Sequence, residues 1–251
     1  KPILMLFRAL PAQGAAGLYA LRTPHSSWPD CGSRGSAMRA ATPRRRAPDL
    51  LGYCTVPDTA SLETTSAPSQ RILDLGCGRD KLPGAVGMDQ NPRSDADIIH
   101  DLDQFPWPLA ADSFDYVRAQ DVLEHVQDFF GVMEELHRVC RDGAEILVRM
   151  PFMSSLHFAT DPTHRRAGTS ATFDYFDPTR PLGRYAYSPA RFERVSFHYG
   201  RFYPGKVGKL FKLIDRVLVP YCERNATSYE HYFAYVYPMH DVTYTLRAIK
   251  R

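Results

Sequence analysis

The chain has 251 residues, a formal net charge of +3 and 44% hydrophobic residues, which is enough apolar material for one substantial core. Its five cysteines are scattered and odd in number, with no C-x-x-C pair, which argues against a disulfide framework and against a zinc site. No apolar run approaches the ~20 residues that a membrane-spanning helix requires, and no basic stripe of the kind that binds nucleic acid is present. We therefore predict a cytoplasmic protein with no transmembrane segment and no nucleic-acid partner.

Residues 1–48 differ from the rest of the chain in composition and charge. They hold eight Lys or Arg and a single acid, Asp30, which leaves the remainder with a net charge of about −4. Arginine-rich segments that are poor in acids are typical of transit peptides, but we prefer a disordered tail or an untranslated upstream region with Met38 as the true start. Residues 55–70 read as a linker, so we assign residues 1–60 to an N-terminal extension and residues 61–251 to one folded domain.

The most informative stretch of the chain is RILDLGCG at residues 71–78. Its apolar run ends in a turn where Gly76 and Gly78 remove the side chains, and only glycine lets a ligand approach the main chain so closely. A second short apolar run ends at Asp89, whose carboxylate is placed to accept hydrogen bonds from ribose hydroxyls. Together these two features predict a Rossmann-like nucleoside site.

The glycine spacing distinguishes between nucleoside cofactors. A dinucleotide site uses G-x-G-x-x-G and holds a pyrophosphate at the N-terminus of the following helix. Here the sequence from Gly76 reads GCGRDK, so the third glycine is missing, and Pro83 and Gly84 leave little room for a helix. S-adenosylmethionine carries no phosphate, so the pattern favours it over NAD.

Four short sequences then follow one another along the chain. They are DLGCG at residues 74–78, GMD at 87–89, HDL at 100–102 with FPWP at 105–108, and SFDYV at 113–117 with DVLEHV at 121–126. In this order they resemble the motifs of the class I S-adenosylmethionine-dependent methyltransferases, particularly the bacterial type-11-like group, and the resemblance covers about residues 70–251. Two departures from the family are a short loop after the first motif, which predicts a reduced or absent first helix, and Asp80 in place of another glycine.

The resemblance implies a fold, a cofactor and a set of binding residues. The fold is α/β, with a Rossmann-like seven-stranded, mostly parallel sheet, an antiparallel last strand and helices on both faces. The cofactor is S-adenosyl-L-methionine. The implied cofactor-binding residues are Asp74, Gly76, Cys77, Gly78, Asp89, Gln90, Asp101, Leu102 and Gln120.

Hydrophobic periodicity places the elements coarsely. Apolar positions at roughly helical spacing predict a helix over residues 122–140. Alternating apolar and polar residues at 192–202 and 241–249 predict a final antiparallel pair. The other predicted strands are residues 71–75, 85–89, 97–100, 114–118 and 144–150.

The segment after the fifth strand is rich in reactive side chains. Ligands of open α/β sheets bind outside the carboxyl ends of the strands, and a hydroxyl nucleophile needs a base, most often histidine. We therefore predict His157 or His164 as the base and Asp161 as the residue that orients it. Arg165 and Arg166 are predicted to bind an anionic group of the substrate.

Other interpretations of the same segment stay open. His157, Asp161 and His164 are all acceptable metal ligands, and a plain loop capped by Asp161 with solvated arginines is also compatible with the sequence. We prefer the catalytic interpretation and predict no bound metal. For His125, which follows the fourth strand, we favour a structural or cofactor-side role.

Two further regions are less specific. Residues 151–191 form the predicted substrate-loop region, and aromatic residues, which mostly indicate packing, are dense from Phe173 to Tyr203. Residues 204–231 form a predicted insertion or lid with a basic amphipathic helix over 207–219, which could be a lid, a homodimer face or a contact with anionic membranes. We favour a helix that packs on its own domain, and its apolar side would carry Leu210, Phe211, Ile214, Val217 and Leu218.

The sequence thus predicts a methyltransferase that acts on a small-molecule or saccharide acceptor, with an anionic group on that acceptor as one option. O-methylation is preferred because of the histidine-rich segment. The alternatives are a non-catalytic protein that binds S-adenosylmethionine and, with less support, an NAD-dependent oxidoreductase. Acceptor identity resides in loops that follow no general code.

Overall fold

The structure is a computed structural model that describes residues 70–203 and 205–250, with only the backbone described for residues 205–210. The predicted N-terminal extension at residues 1–60, the alternative start at Met38 and the linker up to residue 69 lie outside the described residues.

A seven-stranded sheet forms the centre of the described part of the chain. Its strands are β1 Ile72–Leu75, β2 Val86–Asp89, β3 Ile98–Ile99, β4 Phe114–Gln120, β5 Cys140–Pro151, β6 Phe192–Gly200 and β7 Asp241–Ala248. They lie in the order β3-β2-β1-β4-β5-β7-β6. Strands β1 to β5 pair in parallel, and β7 is antiparallel to both β5 and β6. The predicted Rossmann-like fold with an antiparallel last strand is confirmed.

The core lies on the central strands. The two-residue alternation that predicted β7 buries every second residue against β5, as expected where side chains of one strand point to opposite faces. Buried residues of this pair include Ile146, Val148, Met150, Val242, Tyr244 and Leu246. Because β1, β2, β4 and β5 run in parallel, their carboxyl ends meet at one edge of the sheet.

The helices are α1 Phe129–Val139, α2 Leu156–Thr160, α3 Gly205–Arg224 and α4 Ala226–Tyr232, with a 3₁₀ turn at Leu182–Tyr185. Only turns connect β1 to β2, so the prediction of an absent first helix is confirmed. The helix predicted over 122–140 is shorter than expected, because Asp128 caps α1 by accepting the backbone N–H of Gly131 at 2.9 Å. The residues between β4 and this cap form turns that face the site.

Helix α3 packs on the domain as preferred, but through a face shifted from the predicted one, since Leu218, Val219 and Cys222 contact the core. Phe211, Ile214 and Val217 are 38%, 45% and 76% exposed, whereas Asp215 is buried. Arg201 lies 3.2 Å from the Asp215 carboxylate (Nε to Oδ2), and this ion pair turns the polar residue toward the domain. Among the helices that the structure describes, none has the length and apolarity needed to cross a bilayer.

Candidate active site

A cavity of about 450 Å³ lies where β1, β2 and β4 end. We call it the glycine-turn cavity. Gly76 lines it with φ of +61°, and a Cβ at this position would collide with the side chain of Val122. The backbone N–H of Gly76 donates to the carbonyl of Met88 at 2.8 Å, so the turn is fixed against β2. A glycine is required here both by the left-handed backbone and by the lack of space.

Asp89 is held rigidly at the end of β2. Its Oδ2 accepts the backbone N–H of Gly78 at 2.9 Å, and its Oδ1 accepts that of Asn91 at 2.7 Å. An ionised carboxylate has about four lone-pair sites, so each oxygen can accept a further hydrogen bond. The geometry therefore presents two aligned acceptors to a pair of vicinal hydroxyls.

The far wall of the glycine-turn cavity is the segment that contains Asp101 and Leu102. The Leu102 carbonyl accepts the indole N–H of Trp107 at 3.0 Å, and the Asp103 carboxylate accepts the backbone N–H groups of Gln127 and Asp128 at 2.9 Å. These contacts tie the third motif to the turn before α1. The wall is thus built from two segments that are distant in sequence.

A second cavity, of about 410 Å³, adjoins the first. We call it the histidine cavity, because His125, His157 and His164 line it. Asp121 and His125 line both cavities, so the two spaces are neighbours. A bound molecule in one could reach a molecule in the other across these two side chains.

The short helix α2 presents His157 to this cavity. Ser155 begins the helix by accepting the backbone N–H of His157 at 3.0 Å, and the His157 ring packs edge-on against the ring of His240 at 4.8 Å between centroids. Asp161 ends the helix, and its Oδ1 accepts the backbone N–H and the hydroxyl of Thr163 at 2.8 Å and 2.6 Å. The predicted catalytic residues do share one cavity.

The predicted orienting bond between Asp161 and a histidine is not among these contacts. Asp161 Oδ2 lies 4.0 Å from His164 Nε2, which is beyond hydrogen-bond distance. Instead, His164 Nδ1 lies 3.2 Å from the carbonyl oxygen of Phe158. Thr163 connects Asp161 to a different histidine, since its hydroxyl oxygen lies 2.8 Å from Nδ1 of His125.

Glu124 is a cavity residue that the sequence analysis did not single out. Its side chain is fully buried, and neither carboxylate oxygen has a hydrogen-bond partner among the described residues. Burial raises the pKa of Glu124 to about 8, because a charged carboxylate is costly away from water. The available signal was an acid directly after the apolar pair Val122 and Leu123.

A family model described as a methyltransferase domain matches residues 44–199, which is more than half of the chain. The chain belongs to this methyltransferase family. No curated protein matches its sequence.

Solved structures similar to this methyltransferase include other S-adenosylmethionine-dependent enzymes. One from Archaeoglobus fulgidus is 16% identical, with 71% of this chain and 86% of that chain covered and a TM-score of 0.43. One from Mesorhizobium loti is 16% identical, with coverage of 71% and 90% and a TM-score of 0.41. Phosphoethanolamine N-methyltransferase 2 of Haemonchus contortus, solved with S-adenosyl-L-methionine, is 13% identical, with coverage of 72% and 49% and a TM-score of 0.42. These likenesses concern the fold alone.

The cofactor of the methyltransferase is S-adenosylmethionine, and the lining of the glycine-turn cavity fits it. Four carboxylates line this cavity, against one arginine, Arg165, among the described lining residues. Such a lining favours a sulfonium cation and disfavours the pyrophosphate of NAD, because like charges repel across a cavity. The carboxylates belong to Asp89, Asp101, Asp103 and Asp121.

Five of the nine predicted cofactor residues line the glycine-turn cavity, and four do not. The lining residues are Gly76, Asp89, Gln90, Asp101 and Leu102. The backbone N–H of Gly78 donates to the Asp89 carboxylate. Gln120 is the half-buried last residue of β4. Cys77 is buried, and desolvation raises the pKa of its thiol to about 11. For these residues, direct contact with the cofactor stays a prediction.

Asp74 has a clear structural role. Its buried carboxylate pairs with the guanidinium of Arg118 at 2.5 Å and accepts the backbone N–H of Leu82 at 2.8 Å. These contacts hold the loop between β1 and β2 in place without a helix. Asp74 therefore acts on the site by shaping the glycine turn.

The two predicted substrate arginines differ. Arg166 donates to the backbone carbonyls of Leu123, Val126 and Gln127 at 2.9, 2.6 and 3.2 Å, and it lines neither cavity. Arg165 is exposed, lines the glycine-turn cavity and donates to the carbonyl of His125 at 3.2 Å. Arg166 thus has most of its donors occupied by the chain, so an anion-binding role for it has little support here.

Proposed function

We propose that this methyltransferase transfers the methyl group of its cofactor to a hydroxyl oxygen of a neutral small-molecule or glycan-type acceptor bound in the histidine cavity. The observation that carries the proposal is the shared wall of the two cavities at Asp121 and His125. A volume of about 410 Å³ lies within the range of small-molecule sites. Residues 151–191 would supply the acceptor-binding segment, since Pro151, His157 and Asp161 line this cavity.

The charge of the cavity favours a neutral acceptor over an anionic one. Asp121, Glu124 and Asp161 line it, and no arginine or lysine stands among its described lining residues. Asp121 is itself paired with Arg149. Carboxylates that accept hydrogen bonds suit a polyhydroxylated molecule such as a sugar or a polyol, whereas they would repel an acid.

S-adenosylmethionine supplies, when bound, a methyl carbon activated by its sulfonium, and it leaves as S-adenosylhomocysteine. His157 accepts the proton that the acceptor hydroxyl loses as its oxygen bonds to the methyl carbon, while the electron pair of the broken carbon–sulfur bond stays on sulfur. His164 is less suited as the base, because Phe158 and Glu124 lie next to its two ring nitrogens, at 3.2 and 3.9 Å.

The proposal is tested by methyl transfer from isotopically labelled S-adenosylmethionine with the full chain. The acceptor panel pairs neutral sugars and polyols with the corresponding sugar acids and amino sugars. We expect label on hydroxyl oxygens of the neutral compounds, and a kcat lowered about 10²-fold or more in His157→Asn. His198→Asn is the matched control, because its side chain is 69% exposed on β6 and lines neither cavity.

Two results would contradict the proposal. Label found on amine nitrogens alone would indicate N-methylation, which needs no strong base because the nitrogen can lose its proton after transfer. A preference for sugar acids would show that the arginines, and not the acidic lining, select the acceptor.

A further inference from the structure

Glu124 is a buried carboxylate that the methyl-transfer mechanism does not use. Its side chain is fully buried, both oxygens lack a hydrogen-bond partner among the described residues, and it lines the histidine cavity. Buried polar atoms in proteins nearly always have a partner, and a buried carboxylate without one is costly. The site therefore lacks a positively charged or hydrogen-donating partner at these two oxygens.

The hydrogen bond of His164 to Phe158 leaves the lone pair of its ring on Nε2, the nitrogen nearest Glu124. Its Nδ1 lies 3.2 Å from the carbonyl oxygen of Phe158, and a carbonyl can only accept, so Nδ1 carries the proton. Nε2 is then the unprotonated nitrogen of the neutral ring. It lies 3.9 Å from Oε1 of Glu124, which is beyond hydrogen-bond distance.

His125 is fixed in the same tautomer by a longer chain of contacts. The hydroxyl of Thr163 donates to Oδ1 of Asp161 at 2.6 Å, so its oxygen is the acceptor toward His125. Nδ1 of His125, 2.8 Å from that oxygen, therefore carries the proton and leaves the lone pair on Nε2. Histidines that bind metals characteristically donate their other ring N–H to a carbonyl, a carboxylate or a similar acceptor.

We propose that Glu124, His125 and His164 bind a divalent first-row transition-metal ion through one carboxylate and two imidazoles. One candidate ligand atom from each residue lies within 4.8 Å of those from the other two. Ions such as Zn²⁺ hold nitrogen and oxygen ligands at about 2.0–2.2 Å, so a small side-chain movement would close the site. Imidazole ligands favour zinc, iron, cobalt or nickel over magnesium and calcium.

This site differs from the metal set that the sequence allowed. Asp161 and His157, which were candidates there, lie outside the new set, and Asp161 instead supports His125 through Thr163. The histidines at positions 125 and 164 have ring centroids 4.7 Å apart. The sequence-based expectation of no bound metal is therefore revised by the proposal.

Three protein ligands leave at least one coordination position of a four-coordinate ion open. Because Glu124, His125 and His164 all line the histidine cavity, an ion held there could bind an acceptor oxygen beside the methyl donor. This role rests on the proposed O-methylation, whereas the metal site itself does not.

The test is a titration of Co²⁺ into the chelator-stripped full chain, followed by the visible d–d absorption of bound cobalt. We expect one Co²⁺ per chain, and affinity weakened more than about 100-fold in both Glu124→Gln and His164→Asn, since loss of an outer-sphere partner alone costs 10–100-fold. Thr163→Val should weaken binding by about 10-fold through His125. His157→Asn, a histidine of the same cavity outside the set, should keep the wild-type affinity.

Binding of S-adenosylhomocysteine to the same samples shows that each variant is folded. No Co²⁺ binding by a wild-type chain that binds S-adenosylhomocysteine would overturn the metal site and leave the proposed function untouched. Co²⁺ binding unchanged in Glu124→Gln, or weakened equally in His157→Asn, would also overturn it. Failure of the proposed function is separate, because it would appear as absent hydroxyl methylation while Co²⁺ still binds.

Discussion

The Asp89 carboxylate accepts the backbone N–H of Gly78 at 2.9 Å, which joins the turn after β1 to the end of β2. The other oxygen of Asp89 accepts the N–H of Asn91. Both backbone groups are donors, so the position requires a group that only accepts. This relationship explains why a glycine and an acid, eleven residues apart in the chain, act as one unit at the cofactor site.

We expect Asp89→Asn to weaken binding of S-adenosylhomocysteine by about 10- to 100-fold, because the amide nitrogen must face one of the two N–H donors. Isothermal titration calorimetry measures the change. Asp80→Asn is the matched control, since Asp80 is an exposed acid of the same loop that lines neither cavity. Equal affinities of Asp89→Asn and the wild type would remove Asp89 from the cofactor site.

Gly76 and Gly84 both have positive φ, of +61° and +77°, but they differ in surroundings. A Cβ on Gly76 would lie 2.6 Å from the Cβ of Val122, whereas nothing lies within 4 Å of one on Gly84. We expect Gly84→Ala to cost about 1–2 kcal/mol of unfolding free energy from backbone strain alone. Gly76→Ala should cost more and also weaken S-adenosylhomocysteine binding, because it displaces Val122 from the cavity wall.

Urea unfolding measures the stability of the two glycine variants, and calorimetry measures their affinity for S-adenosylhomocysteine. Together they separate the backbone strain that both variants share from the collision with Val122 that only Gly76→Ala suffers. If Gly76→Ala cost no more than Gly84→Ala and bound S-adenosylhomocysteine normally, the close approach of Val122 would have no energetic weight.

The sequence predicted the parts of the site that depend on local rules. Gly76 and Asp89 follow from a turn that needs glycine and from a strand that ends in an acid, and the absence of a first helix follows from Pro83 and Gly84. Glu124 and Arg166 could not be assigned in this way. Their roles depend on contacts with residues about 40 positions away, such as His164 with Glu124 and Arg166 with Val126.

Helix α3 shows a second limit of sequence periodicity. Its apolar stripe was correctly recognised as helical, but the period does not say which side faces the domain. The ion pair of Asp215 with Arg201 sets that orientation, and it joins two residues whose partnership no spacing rule indicates. Leu218, Val219 and Cys222 follow Asp215 at helical spacing and pack on the core, whereas Phe211, Ile214 and Val217 stay exposed.

Arg166 gives a test of the contacts that hold the turn after β4. Its guanidinium binds three carbonyls and lies 5.1 Å from the centre of the Phe129 ring. We expect Arg166→Lys to lower the unfolding free energy by about 2–3 kcal/mol, because an ammonium cannot reproduce the planar fork. Arg165→Lys should change it by less than about 0.5 kcal/mol, since Arg165 is exposed. Urea unfolding distinguishes the two, and equal effects would contradict the assignment.

Asp241, at the start of β7, gives a prediction for pH. Burial raises the pKa of Asp241 from its ordinary value of 3.8 to about 6, with Arg149 and Asp121 as the nearby charges. A carboxyl whose pKa is higher in the folded state favours folding when protonated, so this contribution is complete below about pH 4 and is lost as the pH rises through about 6. The shift corresponds to a loss of up to about 3 kcal/mol of unfolding free energy at neutral pH.

Asp241→Asn removes the ionisation, so we expect it to raise the unfolding free energy at pH 7.5 and to change it little at pH 4. Urea unfolding at both pH values measures this, and an equal change at the two would show that Asp241 ionises normally in the folded protein.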